Sequence, residues 1–354
     1  MRKALVAVAF LVPIGCAYAQ SSVTIYGTLD LSGKYVKNDG SDRRLSLARD
    51  GLNSDQLGFR GIEDLGGGLK AGFNLLASVG ADSGDIGTGQ SPSGSGKFWS
   101  RRSTVSLFSN AGELRMGRDY TPTFWNNAIF DAFGTNGVGS TGNQVQLLTT
   151  TIVRADNAIQ YFLPPSLGGF YGQAMAAAAE GGSAPGQTAN AGRYIGGRFG
   201  WAAGPIDVAI AAGQQRNSFG GASQETYNMG GSYDFGLLKL LAYLDRDNAL
   251  DRRETRGEIS AIVPIGQGEI HVGYDRSKLT NTVVPAASFD NTVWQAKLGY
   301  VYNLSRRTAF YGTASELSNG PHSNLSVATG TSITALPTLG GKSTGFEVGL
   351  RHFF

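Results

Sequence analysis

Residues 24–35 read TIYGTLDLSGKY, and their alternation decides the fold. Ile25, Gly27, Leu29, Leu31, Gly33 and Tyr35 fall on one face of an extended chain. Thr24, Tyr26, Thr28, Asp30, Ser32 and Lys34 fall on the other. Side chains alternate across a strand with period two, so this segment is a β-strand with one face in an apolar medium and the other in water. The dyad returns late in the chain. There Thr292, Trp294, Ala296, Leu298, Tyr300, Tyr302 and Leu304 oppose Val293, Gln295, Lys297, Gly299, Val301 and Asn303. The final strand repeats it, with Phe346, Val348, Leu350, His352 and Phe354 against Glu347, Gly349, Arg351 and Phe353.

Working outward, the connections fall into two classes. Tight turns rich in Gly, Pro, Asn and Asp lie at Asp64–Gly68, Ser109–Gly112, Pro164–Gly169, Ala203–Pro205, Asp234–Gly236, Gly266–Gly268 and Asn303–Arg306. Long polar stretches lie near Val36–Gly51, Gly80–Phe98, Asp119–Thr151, Ala179–Gly192, Arg216–Ser223, Asp247–Arg253, Leu279–Asp290 and Ser318–Lys342. Alternation of the two classes makes eight hairpins, hence an all-β, sixteen-stranded antiparallel transmembrane barrel with short turns at one end and long loops at the other. A soluble sandwich or β-helix is the rival. Segregation of loop lengths by side and aromatics at strand ends (Tyr300, Tyr302, Phe353, Phe354) favour the barrel.

The N-terminus, MRKALVAVAFLVPIGCAYAQ, has basic Arg2 and Lys3, an apolar run from Ala4 to Ile14 and the small-x-small triplet Ala17-Tyr18-Ala19. It reads as a secretory signal peptide spanning residues 1–19, cut after Ala19, with a single barrel domain over residues 20–354. Lipidation at Cys16 is the weaker alternative, because Pro13-Ile14-Gly15 is a poor approach to such a site. Cleavage leaves 354 − 19 = 335 residues without a cysteine, which removes disulfides and thiolate metal sites from consideration. It also leaves 30 − 2 = 28 Lys+Arg against 27 Asp+Glu, a balance that argues against a nucleic-acid partner. Beyond the leader no apolar run approaches the ~18 residues of a membrane helix. No cofactor or metal-ligand pattern stands out.

Five segments carry a family likeness: SSVTIYGTLDLSGKY (Ser21–Tyr35), LGFRGIEDLGGGLKAGFNL (Leu57–Leu75), RRSTVSLFSNAGELRMGRDYTPT (Arg101–Thr123), RYIGG (Arg193–Gly197) and GFEVGLRHFF (Gly345–Phe354). In this order and spacing the chain resembles the general diffusion porins of Gram-negative bacteria, specifically the beta-proteobacterial branch. The resemblance implies a homotrimer of sixteen-stranded barrels in the outer membrane, in contact with membrane lipid and lipopolysaccharide, passing ions and small hydrophilic solutes without a cofactor. It also implies that the terminal Phe354 is read by the barrel-assembly machinery, and that the third long loop, residues 119–151, folds inward as the constriction. That loop contains GRDYTPTFWNNAIFDAFGTNGVGS (Gly117–Ser140), which fits neither strand nor hairpin turn.

By resemblance, the basic wall of the constriction falls on Gln56, Arg101 and Arg154, flanked by Arg60, Arg102, Arg115 and Arg118. Gln56 stands where related porins carry arginine, so the implied anion preference is weak to moderate. Parity places Arg154 with Ala158 and Gln160, facing water, while Arg101 shares a face with Ser103, Val105 and Leu107. Both Arg101 and Arg102 stay candidates, since a strand under an inserted loop is covered on both sides. On the loop, Asp131 is the acidic candidate facing the arginines. Asp119 is a second, with a turn-forming role as its plainer reading. Tyr120, Phe124, Trp125, Phe130 and Phe133 are expected to pack the loop on the wall.

Two rival functions have residues to their name. A substrate-specific channel, for a sugar or an organic anion, would use the same aromatics as a stacking track. A barrel hydrolase would need a nucleophile and base: Gly341-Lys342-Ser343-Thr344-Gly345 matches G-x-S-x-G but enters a strand rather than a helix. The histidines are His271, His322 and His352. Only His271 lies mid-strand, with Asp275 ~13 Å along the same face. The expectation is therefore a channel with no catalytic residues.

Overall fold

The computed structural model describes residues 22–86, 97–147, 153–179, 192–216, 223–281, 291–328 and 335–354. The signal-peptide reading, including Cys16, lies outside them, as do the tips of several long loops. Seventeen strand segments form one sheet: β1 (Ser22–Asn38), β2 (Arg44–Arg49), β3 (Gln56–Gly66), β4 (Leu69–Ser78), β5 (Arg102–Ser109), β6 (Gly112–Tyr120), β7 (Arg154–Phe162), β8 (Phe170–Ala177), β9 (Tyr194–Ala203), β10 (Ile206–Arg216), β11 (Ser223–Asp234), β12 (Lys239–Ala249), β13 (Arg252–Ile265), β14 (Gly268–Asn281), β15 (Asn291–Asn303), β16 (Thr308–Ser318) and β17 (Lys342–Phe353). Apart from β2 and β3, consecutive segments pair antiparallel, and β17 returns to pair with β1 from Thr28↔Phe353 to Asn38↔Ser343. The sheet is closed.

Seventeen segments fill sixteen positions, because β2 and β3 are two halves of one broken strand. Both pair with the same edge of β1, β2 over Leu31–Val36 and β3 over Ser22–Thr28. Local chemistry explains the break. The Asp30 carboxylate accepts from the backbone N–H groups of Leu52 (2.9 Å) and Asn53 (2.6 Å), and Tyr311 donates its hydroxyl to the same group. Asp55 in turn accepts the Asp30 N–H at 2.5 Å. Carboxylates thus replace ladder bonds across 50–55, so the backbone groups stay satisfied without pairing.

The alternation holds around the wall. In β1, Thr28, Asp30, Ser32 and Lys34 are buried while Leu29 is exposed. Exposed apolar side chains form a band, among them Ile25, Val105, Ile159, Ile210, Leu244, Ile259, Leu298 and Leu350. Such a band would be a defect in water and is what a barrel presents to hydrocarbon. Among the described residues no helix is long and apolar enough to cross a membrane. The strands do the crossing.

Two expected loops differ from the reading above. Val36–Gly51 is largely strand, folding as the β1–β2 hairpin. Asp247–Arg253 is a tight connection, with Ala249 paired to Arg252 and Leu250 at φ 55°. Its polar residues mislead because Asp245, Asp247 and Glu254 line the barrel interior and are buried. The hairpin count is unaffected.

Candidate functional site

The third loop enters the barrel from the end of β6 and immediately forms a helix, α1 (Pro122–Ile129). Thr121 caps it through its hydroxyl, accepting from the Phe124 N–H at 3.4 Å, and Pro122 occupies the first turn. The Thr-Pro pair carries this signal, although the segment reads as irregular. A 3-10 turn at Thr141–Gln144 follows. Residues 148–151 of the loop lie outside the described residues.

Wall side chains fix the loop point by point. Asn126 donates to Asn228 Oδ1 (3.0 Å) and accepts from Arg198. Phe130 is fully buried against Ala209 and Tyr243, and Phe133 lies in a pit at Gly273 and Gly299, where an added Cβ would sit 3.0 and 3.2 Å from its ring. Ser260 Oγ accepts the Ala132 N–H (3.1 Å). Glu347 accepts the Val138 N–H (2.9 Å), while Gln295 and Ser315 donate to the Val138 carbonyl at 2.8 and 2.7 Å. Glu254 accepts from the N–H groups of Gln146 and Leu147 at 3.0 and 2.9 Å. At the strand break, Ser54 donates to Asn136 (2.8 Å). An irregular backbone inside a membrane barrel needs such partners, and carboxylates aimed at its amides supply them.

Gly230 belongs to the same fit, since a Cβ there would lie 2.3 Å from Phe130 Cδ2. Gly230→Val is expected to push Phe130 off the wall, at about 1–3 kcal/mol of overpacking. Single-channel recording checks this: the open-state current of the variant should be noisier, and a trace identical to the parent would refute the fit.

Asp131 requires a correction. Its Oδ1 accepts the Phe133 N–H (2.8 Å) and lies 3.5 Å from Lys297 Nζ, away from the arginines. Lys297 also meets Asp275 (2.9 Å) and Glu258 (3.5 Å), all four side chains being fully buried. Loops have no periodicity to fix a side-chain direction, and the attracting lysine is far away in sequence. The sequence does not single out Lys297, Glu258, Glu254 or Glu347 as site residues, and it offers Asp275 only as a neighbour of His271. The available signal was their inward parity, polar positions on otherwise apolar-alternating strands.

The arginines sort by partner. Arg102 Nε meets Asp119 Oδ1 at 2.7 Å, and Arg115 is held by Asp119 (2.5 Å) and Glu113 (2.8 Å). Asp119 is therefore a strand residue compensating two cations, and not a turn former. Arg118 bonds the Ser100 carbonyl (2.8 Å) and Asp156 (2.7 Å), which Lys97 also reaches. Arg101 and Arg154 differ. Arg101 donates to Ser78 Oγ at 3.4 Å, its nearest carboxylate is Asp50 at 4.0 Å, and its Nε has no partner. Arg154 donates to the Tyr120 hydroxyl (2.9 Å), lies 4.4 Å from that ring's centroid, and likewise has an unpartnered Nε. The two guanidinium groups are close enough to repel one another. Tyr120 also stacks on Phe124 and tilts against Trp125, both at 5.3 Å. Those two rings pack on Tyr120, and the wall packing falls to Phe130 and Phe133.

The parity arguments for both arginines fail, for different reasons. Arg101 precedes β5 at a bend, so Val105 and Leu107 face outward without taking it along. In β7 a bulge intervenes: Gly117 pairs with Ala158 but Asp119 with Ala155, and Asn157 has φ 51°. The extra residue shifts Arg154 out of register with Gln160. Gln56 lies opposite Thr28 and Ser78, hence beside the hydroxyl that Arg101 reaches. Arg60 lies four residues further toward the tight-turn end, ~13 Å along the strand, with its guanidinium 5.1 Å from the Tyr26 ring centroid. It is not part of the cluster.

The hydrolase constellation is not assembled. Asp275 is bound to Lys297, and His271 pairs with Glu269 Oε1 at 3.0 Å. Ser343 accepts the Val327 N–H (3.0 Å) at the long-loop end, opposite His271. Phe354 pairs its backbone with Gly27 at 3.1 and 3.2 Å, sealing the seam of the barrel.

Comparison with known proteins identifies the family to which this closed barrel belongs. The Gram-negative porin family model matches residues 4–321. Outer membrane porin protein 32 of Delftia acidovorans is 36% identical, with all of both chains covered. An outer membrane porin protein of Bordetella pertussis is 29% identical over the same full coverage. The solved anion-selective porin from Comamonas acidovorans superposes with a TM-score of 0.82 at 34% identity, covering 95% of this chain and all of that one. The chain belongs to the Gram-negative porin family of the outer membrane.

Proposed function

We propose that the protein is a passive, water-filled channel for ions and small hydrophilic solutes, narrowest between the docked third loop and the wall bearing Arg101 and Arg154, with weak to moderate anion preference. The observation that carries this reading is the pair of guanidinium groups without a close carboxylate partner, beside others that are fully compensated. A constriction selects by width and by the sign of its lining charge. Anion selectivity, printed for the Comamonas relative, extends to this chain with Gln56 as the weakening element. A homotrimer, cleavage of the leader, lipopolysaccharide contact and recognition of Phe354 by assembly machinery belong to the same reading.

A sugar-specific channel could not use the Tyr120 ring as a stacking surface. Phe124 stacks on Tyr120, and the Arg154 guanidinium lies over the same Tyr120 ring, so the faces of Tyr120 are occupied. The test is Gln56→Arg. A third cation beside Ser78 should raise the anion-to-cation permeability ratio about fivefold, given ~1 kcal/mol for a unit charge at ~4 Å in water. Reversal potentials in a KCl gradient measure it, and an unchanged ratio would remove Gln56 from the constriction.

A further inference from the structure

Beside the docked loop, on its tight-turn side, the lumen wall opens into a cavity of about 340 Å³. Loop residues Ala132–Asn136 form one side of it, and residues of β14, β15 and β17 form the other. Parity decides which side chains reach it. Glu269 and His271 share the inward face of β14 with Gly273, and Arg351 shares that of β17 with Glu347 and Gly349. They therefore lie just past Gly273 and Glu347, the wall positions that hold the loop. The register runs from Glu269 through Val301 and Tyr311 to Gly349, one dyad from Arg351. Backbones three strands apart stand about 14 Å apart. The two long side chains reach toward each other from opposite ends of the cavity.

The opposed charges attract one another yet form no ion pair among the described residues. Each is held by something else. His271 Nε2 lies 3.0 Å from Glu269 Oε1, and the His271 ring meets Phe133 edge-on at 5.7 Å, which fixes the carboxylate and leaves its second oxygen open. Arg351 donates from Nη1 to Asn53 Oδ1 (3.0 Å), its guanidinium lies 4.2 Å from the Phe353 ring centroid, and its Nε has no partner. Asp30, opposite Arg351 in β1, is already occupied by the Leu52 and Asn53 N–H groups and the Tyr311 hydroxyl. The surface between the charges is apolar, with Leu52 packed against Val301.

We infer that this cavity binds a small aliphatic amino acid as its zwitterion, the carboxylate on Arg351, the ammonium on Glu269 and the side chain on Leu52 and Val301. The charge pattern selects the class. A simple anion drawn to Arg351 is opposed by Glu269, and a simple cation drawn to Glu269 is opposed by Arg351. A solute carrying both charges satisfies both groups through charge-assisted hydrogen bonds. The volume is that of a small-molecule pocket with a few convergent polar groups on an apolar floor. The site uses neither Arg101 nor Arg154, so it adds a binding place to the lumen without altering the account of ion preference.

The test measures binding of L-valine to the purified full-length protein in detergent by saturation-transfer NMR. Binding there needs no conduction, so this site and the channel reading fail separately. The parent should bind valine saturably. Arg351→Ser and Glu269→Gln should each weaken binding by about tenfold or more, the loss of one charged hydrogen-bond partner, with circular dichroism as the folding check. Two analogues give each variant a positive readout. Glu269→Gln should prefer isovalerate, which lacks the ammonium, over valine, and Arg351→Ser should prefer isobutylamine, which lacks the carboxylate. A parent without saturable valine binding overturns the site. Folded variants that bind valine like the parent also overturn it, and would move binding to the constriction arginines.

Discussion

Replacing Arg101 and Arg154 together by glutamate should reverse the sign of the channel's ion preference. Both guanidinium groups stand without a close carboxylate partner while Arg102, Arg115 and Arg118 are compensated. The residual field at the narrow section is therefore theirs. A unit charge at ~4 Å is worth about 1 kcal/mol even at the dielectric of water, and more where wall and loop displace water. Two inversions should change the anion-to-cation permeability ratio by at least about tenfold. The milder Arg101→Ser/Arg154→Ser pair should abolish the preference without reversing it. Arg60→Ser should alter the ratio less than about twofold, since it lies roughly 13 Å down the strand, beyond the ~10 Å screening length of 0.1 M salt. Equal effects at Arg60 and Arg101 would contradict the assignment.

The second large effect concerns the loop anchor. Lys297→Met removes the lysine that compensates Asp131, Glu258 and Asp275, in a cluster where every member is fully buried. Removing one partner of a buried ion pair costs about 3–5 kcal/mol, because the remaining charges are left uncompensated. The ladder of β14, β15 and β16 does not depend on that side chain, so the barrel should stay closed and the loop should yield. Chymotrypsin should then cut at Phe130 or Phe133, which are buried in the parent. Adding Glu258→Gln and Asp275→Asn should restore part of the protection by removing charge along with its partner. A Lys297→Met protein as resistant as the parent would refute the anchor.

These two sites also mark what the sequence could reveal. Alternation in Thr24–Tyr35 and Asn291–Asn303 gives strand, face and barrel, because a wall between lipid and water enforces period two on each strand. Arg101 and Arg154 sit where that rule lapses, one at a bend before its strand and one beyond the bulge at Asn157. Family position identified them where parity could not. Asp131 was legible as an acidic loop residue but not in its direction, because its partner Lys297 is distant in sequence and adjacent only through the fold. The inward parity of Lys297 was visible; that it faces a loop rather than water was not. The helix after Thr121 was present as a cap and a proline, yet eight residues are too few for an amphipathic period to stand out.

Reconstitution of the purified protein in a planar bilayer under a KCl gradient tests the central claim most directly. Stepwise openings in groups of three, a current that does not saturate with salt, and a reversal potential on the anion side are predicted. No channel activity, or a cation-side reversal potential in the parent protein, would contradict it.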